Sequence, residues 1–157
     1  DFLDYANQNG VQIYYVSDRT TDQLKATKKN LVDQGLPQAT NDHIMLKGKK
    51  DKTKESRRQA IERHNNVIML FGDSLTDFND PQSASVKGRY NDVLKNTNQF
   101  GSKYIVLPCP MYGGWEAALY GNDYSISDAK KNQARKSHLT YFNPKTNKVE
   151  NKTVTEP

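Results

Sequence analysis

The sequence predicts an α/β three-layer sandwich built on a mostly parallel sheet, and three observations carry that expectation. Val67-Ile68-Met69-Leu70-Phe71 is five uninterrupted apolar residues, the pattern of a strand covered on both faces, which implies parallel pairing beneath helices. Val11-Gln12-Ile13-Tyr14-Tyr15-Val16 is β-branched and aromatic and is followed by a helical stretch, the first half of a βαβ unit. Strand-like runs then alternate with helical periodicity along most of the chain, the order expected of an α/β fold.

The elements follow in order. Asp1-Phe2-Leu3-Asp4-Tyr5 opens an amphipathic helix with Phe2, Leu3 and Ala6 facing inward, ended by Asn9-Gly10. The strand over residues 11–16 stops at Ser17-Asp18-Arg19-Thr20-Thr21. Residues 22–34 form a helix with Thr20 or Thr21 as N-cap, Leu24, Leu31 and Val32 on one face, and Gly35 then Pro37 as the stop. A short strand over 43–46 leads through a polar run into a helix over 54–64, which ends before the 67–71 strand. Residues 81–99 carry Val86, Tyr90, Val93 and Leu94 at helical spacing and predict a helix packed on the sheet; 103–107 is a fourth strand, and 115–120 a short helix. Residues 127–138 form a basic amphipathic helix, and the Lys-, Asn- and Thr-rich tail beyond Pro144 is extended or disordered. The domain expectation is a body over 1–140 and a polar tail over 141–157.

Chemistry concentrates at three strand ends or helix starts. In Gly72-Asp73-Ser74-Leu75-Thr76-Asp77 two carboxylates stand four positions apart after an apolar strand, where a parallel sheet puts its sites. They make a hard oxygen site suited to magnesium, with Asp73 reaching the ion and Asp77 binding or orienting its shell; an Asp-rich turn without a ligand fits the same residues. At Ser17 to Thr21, hydroxyls, amides and the Arg19 guanidinium crowd one turn before a helix N-terminus, which suits a phosphate. A simple capping hydroxyl is the alternative for Ser17. Lys54, Arg57 and Arg58 share a helical face. A lysine at a helix start opposes the dipole, a placement that makes sense where an anion must be held; the lysines between 47 and 52 fit a solvated loop.

The order Ser17, Lys54, Asp73/Asp77 resembles the haloacid dehalogenase superfamily of phosphohydrolases. Tyr15-Val16-Ser17-Asp18-Arg19, Lys54-Glu55-Ser56-Arg57-Arg58, Phe71-Gly72-Asp73-Ser74-Leu75-Thr76-Asp77-Phe78, the 100–108 stretch and Met111-Tyr112-Gly113-Gly114-Trp115-Glu116 are together similar to the bacterial class C acid phosphatases, surface lipoprotein phosphatases and 5′-nucleotidases, over roughly residues 1–120. The resemblance implies a magnesium-dependent phosphomonoesterase working through an aspartyl phosphate. It implies that Ser17 hydrogen-bonds the phosphoryl group, Lys54 neutralises it, Asp73 and Asp77 serve Mg²⁺, and Arg19 and Tyr112 contact substrate, Tyr112 stacking on a nucleoside base. It also implies an extracytoplasmic, lipid-anchored protein of the bacterial surface.

One departure matters. The family's first motif, Asp-x-Asp after the first strand, is absent from these 157 residues, where no two aspartates stand two apart. The expectation is an incomplete haloacid dehalogenase-like fold, inactive alone, whose nucleophile comes from a missing N-terminal segment or a second chain completing the sheet between the Ser17 and Asp73 strands, with a homo-oligomer as another way to fill the gap. An apolar fraction of 34% is low for a self-sufficient core of this length and agrees. Cys109, the lone cysteine, excludes an internal disulfide, and His43, His64 and His138 have no metal-ligand spacing. A catalytically inactive phosphate- or nucleic-acid-binding module is the competing reading. With 23 basic against 18 acidic residues, interleaved and without an aromatic platform, no nucleic-acid partner is expected.

Overall fold

The computed structural model describes residues 1–81 and 83–151, and the chain divides into two compact units, Asp1–Ile68 and Met69–Pro157. In the first, α1 (Phe2–Gln8) precedes β1 (Tyr15–Thr20), α2 (Leu24–Asp33), β2 (Ile44–Lys47) and α3 (Glu55–Glu62). β1 and β2 pair in parallel across α2, with Tyr15 opposite Ile44 and Ser17 opposite Leu46. Ile13, Ala39, Ile44 and Leu46 are buried, beside Thr27 and two arginines, Arg57 and Arg58.

The strand expected over 11–16 starts later and runs further. Gln38 explains the late start: its side chain accepts from the Ile13 amide (3.0 Å) and donates to the Val11 carbonyl (2.8 Å), so these backbone groups are satisfied outside a ladder. Ser17 consequently lies within β1 rather than beyond it, and the register with β2 shifts between Ser17 and Thr20. Thr20 caps the single 3-10 turn Thr21–Gln23 that leads into α2, and Gln23 Oε1 accepts from the Thr20 amide in return. α2 ends as its sequence predicts. Gly35, at φ 67°, takes the left-handed position, and the bonds from Gly35 N to Val32 O and from Leu36 N to Leu31 O close a Schellman motif. Phe2, expected to face inward, is exposed, and so is Val32 of the apolar face of α2.

The second unit contains β3 (Leu70–Gly72), α4 (Val86–Lys95), β4 (Tyr104–Val106), α5 (Gly114–Ala117), α6 (Asp128–Ser137), β5 (Thr140–Asn143) and β6 (Lys148–Asn151). β3 and β4 pair in parallel, Leu70 with Tyr104 through Gly72 with Val106. Phe78, Phe100 and Tyr104 pack ring against ring with centroids 5.2–5.9 Å apart, and with Ala117 and Ala118 they mark the unit's interior.

Three expectations are corrected here. The apolar run 67–71 is not a strand buried on both faces: only its last two residues enter β3, and Ile68 is 59% and Phe71 43% exposed. The stripe of α4 does not pack away either, since Val86, Tyr90, Val93 and Leu94 are all exposed. Apolar periodicity marks the face a helix would bury, but a covering partner decides whether burial happens. The described strands form two parallel pairs and one antiparallel pair, in keeping with the expected incomplete, mostly parallel α/β fold. Lastly, the antiparallel pair is a hairpin of β5 with β6, and its second strand falls in the tail beyond Pro144 expected to be extended or disordered; Glu150 holds it by accepting from Tyr141, Asn143 and Thr146. The rest of that tail, 152–157, lies outside the described residues.

Candidate functional site

Ser17, Arg19 and Lys54 lie in the first unit. Ser17 is half-buried in β1, where it is the last residue in regular register with β2. Its Oγ accepts the Arg19 amide at 3.3 Å, which leaves the hydroxyl hydrogen to donate elsewhere. Arg19 is exposed near the end of β1, and its guanidinium reaches Thr27 on α2 at 3.5 Å. Lys54 is the N-cap residue of α3, half-buried, one position earlier than the first turn.

The group that organises this region is one the sequence marked only as a helical neighbour of Lys54. Arg57 is 5% exposed. It donates from Nη1 to the Ser17 carbonyl and from Nη2 to Asp18 Oδ1 (2.7 Å) and the Thr53 carbonyl (3.1 Å), with Asp51 Oδ2 3.7 Å from its Nε. Asp51 also shapes the preceding loop, accepting from the Gly48 amide and the Ser56 hydroxyl, both at 2.8 Å. The Gly48 amide, then the Ser56 hydroxyl, hold its carboxyl below the ordinary aspartate range, with the Arg57 charge adding to them.

Asp73, Asp77 and Tyr112 lie in the second unit. Asp73 follows the last residue of β3, is exposed, and its carboxylate has no hydrogen-bond or ion-pair partner among the described residues. Asp77 holds the loop. Its Oδ2 accepts the amides of Asp73 and Ser74, each at 2.9 Å, in a capping box with Ser74 around the 3-10 turn Leu75–Asp77. The sequence carried the signal for that role, a serine and an acid three positions apart. Gly72 is required for a reason other than a sharp turn: a Cβ there would sit 2.2 Å from Asp77 Cβ. The carboxylate can cross the loop because the strand's last residue has no side chain.

Tyr112, in the loop after β4, is 70% exposed. The loop is closed by a hydrogen bond from Trp115 Nε1 to the Cys109 carbonyl (3.1 Å) and by Gly113, at φ 145°, where a Cβ would press on the Trp115 ring. Trp115 thus shapes the loop rather than filling a core. Behind it, Glu116 of α5 accepts Tyr120 Oη (2.7 Å) and both Nε and Nη2 of Arg135 on α6, tying the basic helix to the base of the loop. The Tyr120 hydroxyl and then Arg135 lower the Glu116 carboxyl.

No set of three metal-ligating side chains occurs among the described residues. The donors fit a loosely held hard cation: one outward-facing carboxylate on a rigid strand end, the type of partial ligation magnesium accepts while keeping water and substrate oxygens.

Residues 1–115 match the family profile of the HAD superfamily, subfamily IIIB (acid phosphatase). Two solved structures of the class C acid phosphatase from Bacillus anthracis, one with tungstate bound, are similar to the chain at 46% identity and a TM-score of 0.86. The match covers 91% of this chain and 60% of theirs, so the chain spans about three-fifths of the length of those relatives.

Proposed function

The chain belongs to the acid phosphatases of subfamily IIIB of the HAD superfamily, and from that membership we propose that it forms part of a magnesium-dependent phosphomonoesterase acting on nucleotides or similar small esters. The observation that carries the reading is the 72–77 loop: Asp77 is spent on backbone amides, while Asp73 is left at the end of a parallel strand with its carboxylate facing solvent. Such an arrangement costs the fold nothing it needs and suits a ligand. The tetrahedral oxyanion bound by one relative agrees with a phosphate site.

In this reading an aspartate from a segment outside these 157 residues attacks phosphorus, the alcohol departs, and water then cleaves the aspartyl phosphate to release orthophosphate. Ser17 donates its hydroxyl hydrogen to a phosphoryl oxygen, and the Lys54 ammonium offsets charge on another. Asp73 would hold a magnesium ion, which when bound would supply further neutralisation of oxygen charge. Tyr112 offers its ring to the base of a nucleotide leaving group. The same outside segment adds a strand to the unpaired edge of a parallel pair, and the protein works outside the cytoplasm, which surface labelling of intact cells would test.

The deciding experiment uses the full-length protein. With magnesium it hydrolyses p-nitrophenyl phosphate and a nucleoside monophosphate, and chelation stops both. Asp73→Asn lowers turnover by ~10²–10³ while circular dichroism stays unchanged. Wild-type turnover in the Asn variant would sink the assignment of Asp73.

A further inference from the structure

We propose that Arg57 is a positioning residue that locks the Ser17 strand end to the segment carrying Lys54, so that the two groups meeting a phosphoryl oxygen are held as one rigid unit. The inference rests on the phosphatase reading above and adds to it a residue that touches no substrate.

The geometry is specific. The register shift between Ser17 and Thr20 interrupts the ladder with β2 just past Ser17. Arg57 Nη1 binds the Ser17 carbonyl there, and Nη2 binds the Asp18 carboxylate. Fixing that peptide also fixes where the Arg19 amide meets Ser17 Oγ, and so the direction in which the hydroxyl hydrogen can point. The same Nη2 holds the carbonyl of Thr53, the residue before Lys54, and the Arg57 amide bonds the Lys54 carbonyl at 3.1 Å. One planar guanidinium therefore spans both segments.

Stability alone does not call for this arrangement. A buried ion pair is often matched or bettered by apolar residues of similar volume, and Arg57 is not fully matched, because its buried Nε has no hydrogen-bond partner among the described residues and Asp51 Oδ2 stands off at 3.7 Å. What only arginine supplies is a fork that holds several acceptors in fixed directions.

The test is Arg57→Lys in the full-length protein, which keeps the charge and loses the fork. At a temperature where circular dichroism shows the variant folded, kcat/KM falls ~10²-fold, the scale set by misplacing reacting groups by about 1 Å. The loss is equal for a nucleoside monophosphate and a small aliphatic phosphate ester, and inhibition by inorganic phosphate weakens in parallel. A merely structural arginine would lower Tm and leave the folded variant's kinetics intact; that result, or a loss confined to the nucleotide, overturns the proposal. Asp18→Ala is the second variant, at an exposed side chain that does not threaten the fold. It gives a smaller loss of the same kind, and if Arg57→Lys fails to fold, unchanged phosphate inhibition in Asp18→Ala overturns the proposal. Should the wild type hydrolyse no phosphomonoester, the functional reading fails, and direct binding of inorganic phosphate still decides this one: equal binding by wild type and variant, absent binding included, overturns it.

Discussion

At the scale of single residues, the site region depends on close approach as much as on charge. Gly72→Ala would put a methyl group 2.2 Å from Asp77 Cβ, an atom too near the backbone to swing aside. The expected cost is roughly 1–3 kcal/mol, as for other overpacked positions, read as a lower denaturation midpoint in the full-length protein, with loss of magnesium-dependent activity because the loop presenting Asp73 must move. A variant as stable as wild type would show that the loop yields freely. Asp51 makes a prediction about pH. Its carboxyl is held below the ordinary value of 3.8 by the Gly48 amide and the Ser56 hydroxyl, so the folded state favours the ionised form. That contribution is complete above 3.8 and disappears as pH falls through the lower, folded-state value. The difference in Tm between wild type and Asp51→Asn is therefore flat from neutral pH down to about pH 5 and shrinks only below 3.8. A difference that grows toward acid pH would contradict the hydrogen-bond assignment.

At the scale of elements, the loop after β4 is built to display a ring. Trp115 and Gly113 shape its base, Glu116 and Arg135 tie α5 to α6, and Tyr112 projects into solvent. Tyr112→Ala is expected to weaken nucleotide substrates by roughly 1–3 kcal/mol in kcat/KM, the range for base stacking on an aromatic side chain, and to leave a small aliphatic phosphate ester nearly unchanged. Equal losses on both would make Tyr112 a structural residue. Element boundaries themselves illustrate how far local sequence reaches. The Thr20 cap of the turn that leads into α2 and the Gly35 stop of α2 are encoded within a few residues and fall where the local sequence puts them. The start of β1 does not, because the amide of Ile13 is claimed by Gln38, 25 residues away, through a side chain that no local pattern singles out.

For the whole molecule, the sheets are the feature with consequences. Among the described residues each parallel pair has two strands, so every strand in it has one edge without a ladder there, and Ile68, Met69, Phe71, Val106 and Leu107 expose apolar surface along or beside the second pair. Open edges with apolar flanks invite further pairing. The 157-residue chain on its own is expected to associate with rising concentration and to melt broadly, seen by light scattering after size exclusion and by calorimetry. Co-expression with the rest of a full-length relative's sequence is expected to restore a single sharp transition. A sharply melting monomer at all concentrations would refute the view that these edges need a partner. By itself the sequence determined the α/β class, the parallel pairing and the motif order, because strand and helix periods, caps and the 72–77 hexapeptide are local patterns. Only the tertiary structure decided that Asp77 braces the loop, that Arg57 joins the Ser17 and Lys54 segments, and that the 67–71 run stands largely exposed. Those outcomes depend on which distant group arrives to take a carbonyl, fill a space or cover a face, and apolar or charged character alone does not specify the partner.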